Sequence, residues 1–290
     1  LYPKYTREMS GDDVGVWFKY DVEAEEQIQV KIGVSFVSIA NARENLGKEQ
    51  PGFAFDQTAQ AAREAWNKDL SRITVEGGTK DEKTIFYTGL YHLLIHPNIL
   101  QDVNGEYPKM ESLEVGKTSE NRYTVFSLWD TYRNVSSLMT LLYPDRQLQI
   151  IHTMIDMYKE NGWLPKWELY GRETFTMEGD PSIPYIVDAW MKGLRDFDVN
   201  TAYEAMRKGA TTPGEYNLLR PDANDYYSLG YCPMVSQFDN SVSHALEYYL
   251  ADWSLGKFAE ALGKKEDAKL FYGRSLGYKH YYCRTLRPIM

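Results

Sequence analysis

The stretch VSHALEYYLADWSLGKFAEALGKKEDAKLFYGRSLGYKHYY, residues 242–282, carries two apolar faces at helical spacing with one glycine between them. Val242, Leu246, Tyr249, Leu250 and Trp253 recur at intervals that mark one face of a helix. Ala268, Phe271, Tyr272 and Leu276 mark a second, beyond Gly263. Two helices joined by so short a turn pack antiparallel. The same period recurs upstream. Phe55, Ala59, Ala62, Trp66, Leu70 and Ile73 form one face; Thr79 with Glu82 reads as a capping box opening a helix that stops at Pro97. Val125, Leu128, Trp129, Tyr132, Val135, Met139 and Leu142 mark a helix ended by Pro144. Further helical faces run near 145–160, 182–197 and 199–210, for roughly eight helices in all. Repeated hairpins of this kind build either an open superhelix or a closed toroid.

Ahead of the helices the period is two. In IQVKIGVSF, Ile28, Val30, Ile32, Val34 and Phe36 alternate with Gln29, Lys31, Gly33 and Ser35, the mark of a half-buried strand. VGVWFKY, 14–20, is its expected partner. Two strands are no stable unit in water, so they read as the end of a β-domain. Long segments at 98–122, 162–181 and 211–238 are rich in Gly, Pro, Asn, Asp and aromatic residues, a composition expected of functional loops.

A net charge of −9 argues against a nucleic-acid partner, which wants a basic face. Cys232 and Cys283 fit no metal or redox pattern. No apolar run approaches about 18 residues, so no transmembrane helix is expected. The chain begins at Leu1, which suggests a missing N-terminus. With 23 Tyr, 11 Phe and 7 Trp, the rings serve either a large core or sugar stacking.

Four stretches could carry chemistry. In YTVFSLWDTYRN, 123–134, Asp130 sits beside Trp129 on an apolar helix, either paired with Arg133 or projecting into a pocket. In GWLPKWELYGRETFTMEGDPS, 162–182, Trp163 and Trp167 lead up to Glu168, with Glu173 and Glu178 close behind. Carboxylates beside indole rings suit glycoside hydrolysis, which needs a pair of acids, but they also suit a solvated loop. Asp222, Asn224 and Asp225 imitate part of a calcium loop yet lack its glycine and distal glutamate, so an Asx-rich turn is the plainer reading. Asp239 or Asn240 caps the 242–262 helix, on which His244 and Glu247 stand one turn apart. Arg220 and Tyr227 are within sequence reach of a site, without spacing that demands it. His92, His96, His152 and His280 make no ligand pattern.

At these motifs the chain resembles glycoside hydrolase family 92. TIFYTGLYHLLIHPNILQDVNGEY (84–107), YTVFSLWDTYR (123–133), GWLPKWELYGRETFTMEGDPSIP (162–184) and DNSVSHALEYYLADW (239–253) match in the family's order and at about its spacing. The resemblance implies a mainly α fold: a partial (α/α)6 toroid of helical hairpins preceded by remnant strands of an N-terminal β-sandwich. Residues 1–40 are then the last sandwich strands, 41–78 a linker helix region and 79–290 part of the catalytic domain. It implies an exo-acting α-mannosidase, with α-1,2 linkages expected, that releases terminal mannose from a glycan by calcium-dependent inverting displacement. Residues expected at the substrate are Asp130, Trp129, Arg133, Trp167, Glu168, Glu173 and Thr174. Location is implied to be secreted, periplasmic or at the surface of a bacterium.

The chain reads GRET (171–174) and GDPS (179–182) where many members read GNET and GYHS, a difference that bears on linkage. The family's acid lies in an EGNAW-type motif and its base in a GNDD-type motif, and neither string occurs here. The acid, base and calcium ligands are therefore expected beyond Met290, with no metal ligand in this chain. Glu168 and Glu173 stand as the candidate catalytic pair within it. Two other readings fit parts of the chain. One is a helical-repeat module, since 261–282 resembles a tetratricopeptide-type hairpin, although no 34-residue period repeats. The other is a different (α/α)6 carbohydrate hydrolase or lyase.

Overall fold

The computed structural model describes residues 9–234 and 240–282. Among them the chain is mainly helical: α1 (Ile39–Glu49), α2 (Phe55–Leu70), α3 (Lys80–Leu93), α4 (Leu128–Thr131), α5 (Val135–Leu142), α6 (Pro144–Asn161), α7 (Ser182–Met191), α8 (Val199–Thr211), α9 (Ala223–Leu229), α10 (Ser241–Ala261) and α11 (Lys265–Ser275). Six short strands pair in three antiparallel ribbons. They are β1 (Asn98–Ile99) with β4 (Tyr123–Thr124), β2 (Glu106–Pro108) with β3 (Val115–Lys117), and β5 (Glu168–Leu169) with β6 (Arg172–Glu173). Among the described residues no sheet threads through the helices.

The helices pack as hairpins. α10 lies against α11, α7 and α8, while α5 and α6 pack on each other and on α7. Their shared core holds Ile151, Met154, Ile183, Ile186, Met206, Leu255, Phe258 and Phe271, all at or near zero exposure. Each such side chain contributes about 2 kcal/mol of burial, so stability is concentrated in α5–α11. Gly256 lets α11 approach α10 closely: a Cβ there would lie 2.8 Å from the Tyr272 ring.

The capping box of α3 is formed, with Thr79 and Glu82 exchanging bonds in both directions. Elsewhere the chain departs from the periodic reading. The helix expected over 125–142 is broken into α4 and α5 by the turn at Tyr132–Asn134. On α10, Leu250 and Trp253 of the expected stripe are exposed, whereas Ala245, Tyr248, Ala251, Leu255 and Phe258 are buried. A helix with neighbours on several sides has no single apolar stripe, so spacing alone misplaces its face. α2 forms as expected but buries none of its residues, and Phe55 stays 72% exposed. Within 211–238 the chain adds α9 and a 3-10 turn at Gly214–Tyr216 that periodicity did not show.

Residues 14–20 and 28–36 form no ladder with each other. The alternation survives, but inverted: Ile32, Val34 and Phe36 point to solvent, while Lys31, Gly33, Ser35 and Val37 are half-buried. The polar side is held by α1. Asn45 Nδ2 donates to the Val34 carbonyl, and Ser35, Asn41 and Asn45 all donate to the Asp102 carboxylate. A strand's backbone groups need a partner strand, and no second sheet stands against this segment among the described residues.

One buried charge cluster joins the late elements. Arg220, fully buried, donates from Nε to Asp180 at 3.1 Å and from Nη1 to Asp252 at 2.8 Å. Asp252, on α10, also accepts from Tyr226 of α9 at 2.9 Å. Arg274 of α11 brings its Nε within 2.7 Å of Asp252 as an ion contact without hydrogen-bond alignment. Breaking one partner of a buried pair leaves an uncompensated charge. Asp252→Ala is therefore expected to destabilise the protein by about 3–5 kcal/mol in urea unfolding followed by circular dichroism. A loss under about 1 kcal/mol would mean the cluster is solvated in solution.

Candidate active site

The two sequence motifs are side by side. Backbone amides of Phe126 and Leu128 donate to the carbonyls of Glu168 and Lys166, at 2.9 and 3.4 Å. The SLWDT segment is thus hydrogen-bonded along the WELYGRET hairpin, β5–β6. Four non-glycine residues in these two segments have left-handed backbone, namely Val125 (φ 67°), Tyr170 (φ 50°), Phe175 (φ 53°) and Met177 (φ 67°). For β-branched Val125 this is a strained state. Strain of this kind persists where surroundings impose it, and it clusters at functional sites.

Asp130, in the one-turn helix α4, is exposed. Trp129 beside it is half-buried, and Arg133 lies over the indole with its guanidinium 4.5 Å from the ring centroid. The expected Asp130–Arg133 pairing gives way to a longer-range one. Arg133 Nη2 is 2.6 Å from Glu247 Oε1 on α10, and Tyr132 Oη donates to Glu247 Oε2 at 2.6 Å. Burial together with the neighbouring carboxylate pushes the Tyr132 phenol well above its usual range.

Glu168 does not line the surface; its exposure is zero. Its carboxylate accepts from Thr124 Oγ1 at 2.9 Å, from the Val125 amide at 3.1 Å and from the Gly171 amide. Loss of solvent pushes its pKa up to about 7, against those hydrogen bonds. Glu173 is committed as well: it accepts from the amides of Lys166, Trp167 and Phe175 at 2.7–2.9 Å. Both acids of the expected catalytic pair accept backbone donors of a tight hairpin, which satisfies amides that would otherwise lack a partner. Thr174 is exposed and ties back to the Trp167 carbonyl at 2.9 Å, with Trp167 half-buried beside it.

Sequence reasoning missed Glu247 as a partner of this motif, and it missed Lys166. Lys166 is 2% exposed, and burial lowers its pKa to about 8 although Asp180, Glu173 and Glu178 lie near. The signal for both was a charge on an otherwise apolar run. His244 on α10 is buried, and desolvation lowers its pKa to about 4.

No group of three or more acidic, His or Cys side chains is placed to hold a metal ion among the described residues. Within the Asp222–Asp225 segment, Asn224 is turned to Gly214 and Glu215. That donor set does not suit the six to eight oxygens of a calcium site. Cys232 is buried, and Cys283 and Asp239 lie outside the described residues. A cleft of about 590 Å³ between α2, α3, α5 and α6 is lined by Trp66, Asp69, His96 and Arg146 and reaches the first motif only at Tyr123.

The fold is a set of helical hairpins in which two aromatic and acidic segments are paired through backbone hydrogen bonds. Residues 41–287 match the model of the glycosyl hydrolase family 92 catalytic domain, and the chain belongs to that family. It is 32% identical to the family GH92 alpha-mannosidase BT3965 from Bacteroides thetaiotaomicron (TM-score 0.80), over 88% of this chain and 33% of that one. To the family GH92 inverting mannosidase BT2199 of the same organism it is 32% identical (TM-score 0.81), over 87% and 35%. An "Uncharacterized secreted glycosidase" of Arthroderma benhamiae is 26% identical over 86% of this chain and 30% of its own length. The chain thus spans about a third of the length of these relatives.

The Glu168 environment gives a pH test. Its folded pKa lies above the unfolded value of 4.5, so its contribution to stability is complete below pH 4.5 and is lost as pH rises through about 7. Across that window the loss is on the order of 3 kcal/mol. Glu168→Gln should flatten this part of a stability–pH curve measured by urea unfolding. A curve parallel to wild type would show that Glu168 keeps an ordinary pKa.

Proposed function

We propose that the protein carrying this chain is an exo-acting α-mannosidase that releases terminal mannose, α-1,2-linked residues first among them, with inversion at the anomeric carbon. The observation that carries this reading is the direct pairing of the SLWDT segment with the WELYGRET hairpin, in a chain whose family includes mannosidases of known structure. A further structure of BT3965 is a complex with mannoimidazole. Asp130 and Thr174 offer exposed oxygens for sugar hydroxyls, and Trp129 and Trp167 offer apolar ring area beside them. Thr124, Glu168 and Glu173 support that surface from beneath.

Inverting hydrolysis needs an acid on the leaving oxygen and a base on water, roughly 6.5–9.5 Å apart. With Glu168 and Glu173 consumed by backbone donors, the reading assigns acid and base to residues other than these. The same holds for calcium, whose ligand set the described residues do not provide. By the same likeness the protein acts on glycans outside the bacterial cytoplasm.

The test is hydrolysis of an activated aryl α-mannoside by the native protein, with aryl α-glucoside as control, with and without chelator. Turnover of the mannoside that is lost in chelator and regained with calcium is expected, and the first product seen by NMR should be β-mannose. Retention at the anomeric carbon, or preference for the glucoside, would falsify this reading. Asp130→Ala should cut kcat/KM at least about tenfold, about 1.4 kcal/mol. Residues 1–290 expressed alone are expected to show no turnover, because Glu168 and Glu173 are engaged by backbone donors and the family's acid and base strings are not among these residues. Chelator-sensitive activity of that polypeptide would overturn the assignment of acid and base.

A further inference from the structure

We infer that Glu247 is a positioning residue for the sugar-binding surface: its carboxylate clamps Arg133 and Tyr132, fixing the turn that carries Trp129 and Asp130. The inference rests on the proposed function. Its observations are geometric. One oxygen of Glu247 takes Tyr132 Oη at 2.6 Å, and the other takes Arg133 Nη2 at 2.6 Å. Both donors come from consecutive residues at the break between α4 and α5, while the acceptor comes from α10, more than a hundred positions later.

Exposed ion pairs hold little, but this one is not a loose surface pair. The Glu247 side chain is 14% exposed and Tyr132 is buried. Arg133 is spread over two rings, 4.5 Å from the Trp129 centroid and 4.9 Å from that of Tyr132. A guanidinium tied at one end and stacked along its face has few rotamers left. Asp130, three positions before Arg133, is exposed on the same turn.

The third motif closes on the same residue. Gly179 has φ +81°, and a Cβ there would sit 2.5 Å from the Cβ of Glu247. Only glycine lets the 162–181 segment pass so near. α10, the α4–α5 turn and the 162–181 segment therefore meet at one carboxylate. The turn is too short to hold its own shape: α4 is four residues long and its N-cap makes no side-chain bond.

The test uses the native protein and steady-state kinetics on an aryl α-mannoside. Glu247→Gln keeps the size of the side chain but replaces one acceptor with a donor. It is expected to raise KM about tenfold while kcat stays within about threefold. In an Arg133→Gln background the same change should cost no more than about threefold, because only the Tyr132 arm of the clamp is left. A merely structural role predicts the opposite split, a lower kcat from fewer folded molecules with KM unmoved, and an undiminished effect in the Arg133→Gln background; either result overturns the inference. If Glu247→Gln does not fold, Tyr132→Phe removes a single donor and should raise KM about threefold; an unchanged KM there overturns the inference equally. Wild-type protein that neither binds nor cleaves α-mannosides removes the proposed function and this inference with it. Normal wild-type activity matched by Glu247→Gln removes this inference alone.

Discussion

A guanidinium with no water around it must have anions on it, and Arg220 imposes that demand on everything near it. Its two carboxylates come from segments far apart in sequence: Asp180 from the 162–181 segment and Asp252 from the middle of α10. Tyr226 and Arg274 then crowd the same Asp252 from α9 and α11. Four elements cannot move independently once these groups are dry. A buried pair of this kind adds little net stability over an apolar replacement, but it fixes which elements go where. The 162–181 segment, which carries the candidate site, is anchored at Asp180 by the same arginine.

Above that anchor the site is built from acids that face inward. Glu168 and Glu173 spend their oxygens on amides of a hairpin with left-handed residues at Tyr170 and Phe175. The cost of the strained backbone is offset by charge-assisted bonds made in a low-dielectric setting. The upward shift of Glu168 shows how far desolvation works against those bonds. The outer layer of the same segments carries Asp130, Trp129, Arg133, Trp167 and Thr174. Beneath the neighbouring ribbon a second buried pair, Arg122 with Glu160 at 2.8 Å, ties β4 to α6, with Tyr107 donating to the same carboxylate at 2.9 Å.

The apolar surface is unevenly covered. α6–α8, α10 and α11 share a dry core, whereas Phe55 on α2, Ile85 on α3 and the Ile32 and Val34 side chains stand in solvent. These faces carry the periodic patterns that made them legible in the sequence. Patterning records which side of an element is meant to be covered, not what covers it. The Phe36 ring does reach the site hairpin, stacking on Tyr170 with centroids 4.7 Å apart, so the N-terminal segment borders the same surface.

The sequence by itself determined the helices of the second half, the capping box at Thr79, the turn at Gly263 and, through its motifs, the family. These are local matters: period, caps and breakers act over a few residues, and a motif is a string. Only the tertiary structure decided the rest. It broke the 125–142 helix at Tyr132, because Glu247 on a distant helix holds the two residues at the break. It sent Arg133 across the fold to Glu247, although Asp130 lay three positions away. It set Glu168 and Glu173 against backbone amides of the hairpin and its neighbours, since unsatisfied amides in a tight turn take the nearest carboxylate. It put Arg220, Asp180, Asp252 and Arg274 together, a set with no spacing to betray it. A charged side chain finds its partner by desolvation and distance in three dimensions, and neither quantity is written along the chain.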